Sequence, residues 1–138
     1  MSTRMKERQE KIRQIIVQLA AESAEGTLIL VEGKKDLEAL RSLGVAGPVL
    51  AVKSGGKSFL QTISEIKLSG VCRVVLLLDF DRRGRQGTVR LKEGLERLKI
   101  KSELSFWRSL HALVGRDVQC IEGLVSYMQT LEAKAGGL

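Results

Sequence analysis

The stretch VVLLLDFD, residues 74–81, is a run of five apolar residues followed by Asp79 and Asp81 around a phenylalanine. An uninterrupted run of Val and Leu predicts a strand buried on both faces, which is typical of a parallel sheet covered by helices. In such sheets, sites lie at the carboxyl ends of the strands. The stretch therefore predicts a functional site, and side-chain alternation along a strand predicts that the two aspartates point the same way.

A second stretch upstream, TLILVEGKKD, repeats this arrangement, because an apolar run ends in Glu32. The carboxyl ends of parallel strands share one edge of a sheet, so we expect Glu32, Asp79 and Asp81 to lie near one another. Three close carboxylates repel, and the repulsion is costly without a cation. Magnesium prefers oxygen ligands of this kind. The sequence therefore predicts a Mg²⁺ site, with Mn²⁺ as a substitute.

The rest of the chain alternates between apolar and amphipathic patterns. PVLAV and KSEL are predicted to be further strands, and the segments between strands have helical spacing of Leu, Ile and Val. This alternation predicts an α/β fold with about four parallel strands flanked by helices. We divide this single globular unit into an N-terminal amphipathic helix (residues 1–25), a domain (26–120) and a C-terminal helix with a frayed AGGL tail (121–138).

Composition restricts the class of protein. The chain has 138 residues, 43% hydrophobic but only 4% aromatic, which predicts one domain with an aliphatic core. No apolar run is long enough to cross a bilayer, and the N-terminus is charged rather than signal-like, so we expect a cytoplasmic protein without a membrane partner. Cys72 and Cys120 have no paired spacing and are predicted to be buried free thiols.

Positive charge is concentrated in one segment. The chain carries a net charge of +7, and residues 82–116, with ten Lys or Arg against three Glu, account for all of it. A basic segment that begins directly after an Asp pair is the footprint expected of a face that binds a polyanion. The alternative is a solvated basic helix. We therefore predict contact with RNA or DNA through this segment.

The stretch AVKSGGKS, residues 51–58, offers a competing interpretation. It fits a loose phosphate-loop pattern, in which Lys57 would reach phosphates and Ser58 would bind magnesium. Its first position is Ala51 rather than Gly, and this ATPase interpretation leaves the Glu32 motif unexplained. Two other interpretations of the stretch are open. In one, Lys53 and Lys57 bind a phosphate near the predicted metal; in the other, the glycines form a plain turn that starts a helix.

Glu-Gly-Lys-x-Asp after a first strand and Asp-x-Asp-x-x-Gly after a third resemble the motifs of the Toprim domain. This domain is shared by topoisomerases, bacterial primases, OLD-type nucleases, recombination-repair proteins and a ribonuclease that matures a small ribosomal RNA. The resemblance covers roughly residues 26–120. The first motif matches the ribonuclease-like form, and the chain looks most like short archaeal proteins made of little more than this domain. The resemblance implies a three-layer, Rossmann-like fold.

The resemblance also implies roles for individual residues. Glu32 would be the acid/base carboxylate and able to ligate metal, Asp79 and Asp81 would be the magnesium ligands, and Gly33 and Gly84 would be turn glycines. Topoisomerases place a further acidic residue after Asp-x-Asp, where this chain has arginines, so strand passage is not implied. The cationic residues expected to hold nucleic-acid phosphates are Lys34, Lys53, Lys57, Arg82, Arg83 and Arg85.

Three functions remain open at this stage. The first is a magnesium-dependent nuclease or phosphodiester-transfer enzyme, in RNA processing or DNA repair. The second is a non-catalytic nucleic-acid-binding module that acts with a protein partner, and the third is the phosphate-loop ATPase. Tyr127, the only tyrosine, and Trp107 are both predicted to pack rather than to react or to stack on bases.

Overall fold

The sheet has four strands that are all parallel, in the order β2-β1-β3-β4, and helices cover both faces. A computed structural model describes residues 3–136 of the chain. The elements are α1 (Thr3–Ala24), β1 (Leu28–Val31), α2 (Lys34–Ser42), β2 (Val49–Ala51), α3 (Phe59–Ser69), β3 (Arg73–Leu77), α4 (Arg82–Arg97), β4 (Lys101–Glu103), α5 (Ser105–Val114) and α6 (Ile121–Gly136), with a short 3-10 helix at Ser54–Gly56. The predicted α/β fold with a parallel sheet of about four strands is confirmed.

Alternation along the two central strands divides the core into two layers. Ile29 and Val31 of β1 face the cluster built with α1, α2, α5 and α6. Leu28 and Leu30 face the opposite cluster, which α3 and α4 complete. Both central strands are therefore buried on both faces, as their uninterrupted apolar runs predict. The largest fully buried side chains are all Ile or Leu, so the core is aliphatic as expected.

Helix α1 covers one face of the sheet. Its apolar stripe, Ile12, Ile16 and Leu19, is buried in the core cluster of that face, together with residues of α5 and α6. Within residues 3–136, no helix is both long and apolar enough to span a bilayer.

Three local expectations need correction. Strand β3 ends at Leu77, two residues before Asp79, so strand alternation does not determine how the aspartates point. Both cysteines were predicted to be buried, but Cys72, which directly precedes β3, is exposed and Cys120 is half-buried; both are free as expected. Helix α6 continues through Gly136, into the predicted AGGL tail, and the last two residues of that tail lie outside the described part of the chain.

Candidate metal centre and nucleic-acid interface

The sheet brings Glu32 and Asp79 together at its carboxyl edge. Strands β1 and β3 are neighbours, and Val31 is paired with Leu77 in their register. Glu32 follows β1 directly, and Asp79 follows β3 by two residues. The backbone N–H of Asp79 donates a long hydrogen bond, 3.4 Å, to Glu32 Oε2. These two motifs, 47 residues apart in sequence, therefore form one site.

Glu32 is buried, with only 8% of its surface exposed, and it is paired with a lysine. Lys53, which follows β2, places its Nζ 2.9 Å from Glu32 Oε1. Strand β2 lies beside β1, so the lysine arrives at the same edge of the sheet. Its positive charge offsets the carboxylate charge, which a buried position would otherwise make costly. Lys53 is the lysine of residues 51–58 that the fold brings to the acidic site.

The Asp79 carboxylate is half-buried and has a raised pKa. Its Oδ1 is buried and has no hydrogen-bond partner among the described residues. Burial, reinforced by the negative charges of Glu32, Asp36 and Asp81, raises the pKa of Asp79 from its ordinary 3.8 to about 7. A buried oxygen without a partner, surrounded by negative charge, is a position that a cation would stabilise. The carboxylates present therefore fit a divalent metal with a preference for oxygen ligands.

Asp36 is a further carboxylate of this site, to which the sequence motif alone assigned no role. Its Oδ2 accepts the N–H of Gly33 at 3.0 Å, and its Oδ1 accepts the N–H of Glu122 at 2.9 Å. One carboxylate therefore satisfies backbone donors at the start of α2 and at the start of α6. Asp36 is buried, and it holds the backbone that immediately follows Glu32. The signal for it was its place in the Glu-Gly-Lys-x-Asp motif.

Cys120 lies beside these aspartates. One ligand atom each from Asp36, Asp79 and Cys120 lies within 4.8 Å of the other two. Burial raises the pKa of the Cys120 thiol, and the negative charges of Asp36 and Asp79 raise it further. A protonated thiol is a poor ligand for a hard cation such as magnesium, which selects oxygen. Of the three residues, Asp79 is the one with a carboxylate oxygen that is free of hydrogen bonds among the described residues.

Phe80 anchors the loop that carries the two aspartates. Its ring is buried, 5.6 Å from the ring of Trp107 and 5.6 Å from that of His111. The backbone N–H of Phe80 donates to the carbonyl of Gln119 at 2.7 Å. Trp107 also donates from Nε1 to the carbonyl of Leu78 at 2.9 Å. The expectation that Trp107 packs is confirmed, and the inward Phe80 separates Asp79 from Asp81.

Asp81 and Gly84 shape the start of α4. Asp81 is exposed, and its Oδ1 accepts the N–H of Gly84 at 2.8 Å, which makes it the N-cap of the helix. Gly84 lies inside the first turn of α4 and is not a turn glycine: a Cβ there would lie 2.1 Å from the carbonyl oxygen of Asp79. Close approach of two backbone segments is its reason to be glycine. Gly33 has an extended backbone, φ −135°, that other residues also adopt.

The two residues that an ATPase would need, Lys57 and Ser58, make contacts with α3. Lys57 Nζ lies 2.9 Å from Glu65 of α3, and not at the acidic edge of the sheet. Ser58 is the N-cap of α3, and its Oγ accepts the N–H of Gln61. Gly55 and Gly56 have positive φ and form the turn before this helix. The geometry thus favours the glycine-turn interpretation of this stretch, and the prediction that Lys57 grips a phosphate beside the metal gains no support.

Most predicted phosphate-binding residues surround the acidic edge on exposed positions. Arg82, Arg83 and Arg85 occupy the first turn of α4, and Lys34 begins α2. Arg83 also lines a pocket of about 210 Å³ with Glu32 and Lys53. The remaining residues of this pocket are Phe59, Gln86, Gly87 and Arg90. The acidic site thus opens into a cationic pocket between α3 and α4.

Comparison with known proteins gives consistent results. The model of the Toprim domain matches residues 26–106. A UPF0292 protein of Methanosarcina acetivorans is 30% identical over 132 residues, which cover 95% of this chain and 89% of that relative. A UPF0292 protein of Methanocaldococcus jannaschii is 34% identical over 120 residues, covering 86% of this chain and 91% of the relative. The expected similarity to short archaeal proteins is confirmed.

A solved structure supports the fold independently. A protein from Aquifex aeolicus superimposes with a TM-score of 0.66 and 25% sequence identity, over 80% of this chain and 94% of that one. The family match points to a metal-binding function related to nucleic acid, and the buried carboxylates at the sheet edge agree with it. The region matched by the family model contains both acidic motifs and the whole sheet. This chain belongs to the Toprim domain family.

Proposed function

We propose that this protein is a magnesium-dependent nuclease or phosphodiester-transfer enzyme that acts on nucleic acid. The observation that carries the proposal is Asp79 Oδ1, a buried carboxylate oxygen without a hydrogen-bond partner in the described chain, surrounded by three further carboxylates. Such an arrangement is unfavourable in the protein alone and becomes favourable around a cation. Structural carboxylates are usually satisfied by donors, as those of Asp36 are here.

Asp79 and Asp81 are the residues proposed to hold magnesium, together with Glu32. When bound, the cation would offset charge on a phosphate and stabilise a leaving oxygen or activate water. Asp81 accepts the N–H of Gly84 with Oδ1, and its other carboxylate oxygen accepts no hydrogen bond from the described residues, so it could face a metal. Glu32, next to Lys53, is the candidate for moving a proton, because a carboxylate at the border of the metal site can act as a general acid or base.

The basic surface supports a nucleic-acid substrate. The excess of positive charge begins at Arg82, one residue after Asp81, and the first turn of α4 exposes three arginines there. Phosphates of a bound strand would therefore meet cationic groups directly beside the carboxylates. The match to the Toprim domain agrees with this class of substrate. RNA processing and DNA repair both remain compatible with this chemistry, and the experiment below separates RNA from DNA.

A cleavage-and-binding panel tests the proposal. Purified protein is incubated with labelled single- and double-stranded RNA and DNA, and with a structured ribosomal RNA precursor, in Mg²⁺ or Mn²⁺. Glu32→Gln is expected to abolish cleavage and to leave binding largely intact. Glu38→Gln, which changes an exposed carboxylate of α2 in the same way, is the matched control and should cleave normally. Binding without cleavage by the wild type would replace this proposal with a non-catalytic module that acts with a protein partner.

Calorimetry tests the metal site separately from catalysis. Titration with Mn²⁺ is expected to show a site that is lost in the double variant Asp79→Asn, Asp81→Asn and kept in Glu38→Gln. Unchanged affinity in the double variant would mean that these aspartates do not hold the metal. ATP turnover that survives Glu32→Gln and disappears in Lys57→Ala would instead support the ATPase, which the pairing of Lys57 with Glu65 disfavours.

A further inference from the structure

The pocket that contains Glu32 continues into a longer groove between α3 and α4. This groove has a volume of about 600 Å³ and shares Phe59 and Arg90 with the Glu32 pocket. Its walls are apolar side chains of α3 on one side and residues of α4 on the other, where two arginines flank one carboxylate. The α4 side is lined by Arg90, Glu93, Gly94, Arg97 and Leu98. We call this feature, from the Glu32 pocket to Leu98, the α3/α4 groove. It is open to solvent and connects directly to the candidate active site.

Three arginines follow the α3/α4 groove along α4. Arg83, Arg90 and Arg97 are spaced by seven residues, which places them on one face of a helix. A rise of 1.5 Å per residue separates successive arginines by roughly 10 Å and the outer two by roughly 21 Å. Arg83 lines the Glu32 pocket, Arg97 lines the far groove, and Arg90 lines both. We call this set the arginine stripe, and it extends the positive charge away from the carboxylates.

The floor of the α3/α4 groove presents an aromatic ring and exposed apolar surface. The Arg90 guanidinium carbon lies 4.7 Å from the centre of the Phe59 ring, a cation–π contact. Leu60, at the rim, is 75% exposed and lies beside this ring, so the two side chains together form one apolar surface in the groove. Phosphates alone would not need such a surface. A flat apolar ligand group next to a phosphate would use both the ring and the arginines.

We propose that the α3/α4 groove binds a single-stranded segment of the nucleic acid and leads it to Glu32. The arginine stripe would contact the phosphates, and Phe59 with Arg90 would form a platform on which an unpaired base stacks. A duplex keeps its bases paired and stacked, so only its phosphates would reach this surface. Single strands expose their base faces, which makes them the substrate class that matches an aromatic and cationic groove. This inference rests on the proposed function and specifies its substrate.

Binding measurements without metal test the groove independently of cleavage. Fluorescence anisotropy compares a labelled single-stranded oligonucleotide, as RNA and as DNA, with the same sequence in a blunt duplex. The wild type is expected to prefer the single strand. The double variant Arg90→Gln, Arg97→Gln should lower single-strand affinity by roughly tenfold at moderate salt and should reduce the magnitude of the salt slope by about 1.4, the value for two phosphate contacts.

A charge-matched control comes from the opposite face of the sheet. Arg4→Gln, Arg13→Gln removes two exposed arginines of α1, whose apolar stripe packs in the core layer on the other side of the sheet from α4. Its single-strand affinity should stay within about twofold of the wild type, if position rather than total charge matters. Phe59→Leu keeps an apolar side chain for packing and should weaken binding by roughly fivefold or more at every salt concentration. Thermal unfolding of each variant checks that it folds.

The outcomes separate this inference from the proposed function. If duplex binds as tightly as single strand, or if both groove variants bind single strands like the wild type, the groove is not the path of the strand. The latter result would favour an apolar peptide of a protein partner as its occupant. Manganese calorimetry should be normal in all groove variants, because Glu32, Asp79 and Asp81 are unchanged. Loss of the metal site in the double aspartate variant would then still support the proposed function.

Discussion

Lys53 Nζ and Glu32 Oε1 lie 2.9 Å apart, and this ion pair joins the ends of β2 and β1 at the candidate active site. Glu32 is almost fully buried, whereas the lysine side chain is 56% exposed. If the ion pair opens, the lysine ammonium can move into solvent, whereas the Glu32 carboxylate stays buried without a positive partner. A metal cation bound beside Glu32 would supply that positive charge instead, and Lys53 could then contact a phosphate.

This relationship predicts a metal-dependent effect of Lys53→Met. In a chelating buffer, the variant should lose about 1 kcal/mol of unfolding free energy, because the buried Glu32 carboxylate loses its partner. Saturating Mg²⁺ should remove most of this difference. Urea denaturation with and without metal measures both effects, and Lys11→Met, at an exposed position of α1, is the control. A loss that is the same with and without metal would contradict the exchange of lysine for cation.

The perturbed Asp79 predicts a pH dependence of the metal-free protein. Its folded pKa of about 7 is raised above the ordinary 3.8, so between these values the folded protein keeps a proton that the unfolded chain releases. Stability should therefore fall as pH rises through this window and should level off above pH 7. Asp79→Asn cannot ionise. In a chelating buffer its thermal midpoint should exceed that of the wild type at about pH 8, with little difference at about pH 4.

Bound metal should reverse the order of the thermal midpoints of the wild type and Asp79→Asn. At saturating Mn²⁺ and about pH 8, the wild type gains binding energy that Asp79→Asn lacks, so the wild type should melt at the higher temperature. Glu38→Gln, an exposed carboxylate of α2, should follow the wild type under all conditions. A variant that is less stable than the wild type in the chelating buffer at high pH would show that the Asp79 carboxylate is not strained in the metal-free fold.

The two glycines of the acidic motifs should respond differently to alanine. A Cβ at Gly84 would lie 2.1 Å from the Asp79 carbonyl oxygen, whereas a Cβ at Gly33 would lie 3.7 Å from Asp36 Oδ2, an ordinary contact. Gly84→Ala should cost about 3 kcal/mol and displace the Asp79 loop, which would also weaken Mn²⁺ binding. Gly33→Ala should cost about 1 kcal/mol or less. Urea denaturation compares them, and equal losses would contradict the close approach at Gly84.

An ion-pair network far from the site predicts a second pH effect. Arg73, at the start of β3, lies 2.6 Å from Glu22 of α1 and 3.2 Å from Glu103 of β4. Arg73 holds the pKa of Glu22 below its ordinary 4.5, and the Ser105 hydroxyl and then Arg73 do the same for Glu103. This stabilisation is present above the ordinary value and is lost as pH falls through the lower folded values.

Replacing Arg73 should show the pH range over which these ion pairs stabilise the fold. Arg73→Gln is expected to lose about 1 kcal/mol of unfolding free energy at neutral pH, and the difference from the wild type should shrink as pH falls below about 4.5. Urea denaturation at several pH values measures it. Arg13→Gln, which removes more exposed ion pairs, should have little effect at any pH. A constant difference across pH would mean that Arg73 acts by packing and not by charge.

The strands, the helices and the positions of the acidic motifs could be predicted from local sequence. The run at residues 74–78 is apolar throughout, so any fold that buries it must cover both of its faces, and a parallel sheet with helices does so. Glu32 and Asp79 each follow such a run. Because parallel strands end at one edge, their proximity followed from the fold class alone. The apolar runs and the positions of the acids after them were therefore enough to predict that Glu32 and Asp79 lie close together.

The orientation of individual side chains was decided by the tertiary structure. Lys53 and Lys57 were both predicted to grip a phosphate beside the metal, but Lys53 is paired with Glu32 whereas Lys57 is paired with Glu65 of α3. Asp36 accepts the N–H of Gly33 within its own motif, but its second hydrogen bond, from the N–H of Glu122 86 residues later, is contained in no local pattern. Hydrogen bonds and ion pairs depend on ångström-scale positions of distant segments, whereas apolar periodicity depends only on neighbours in the chain.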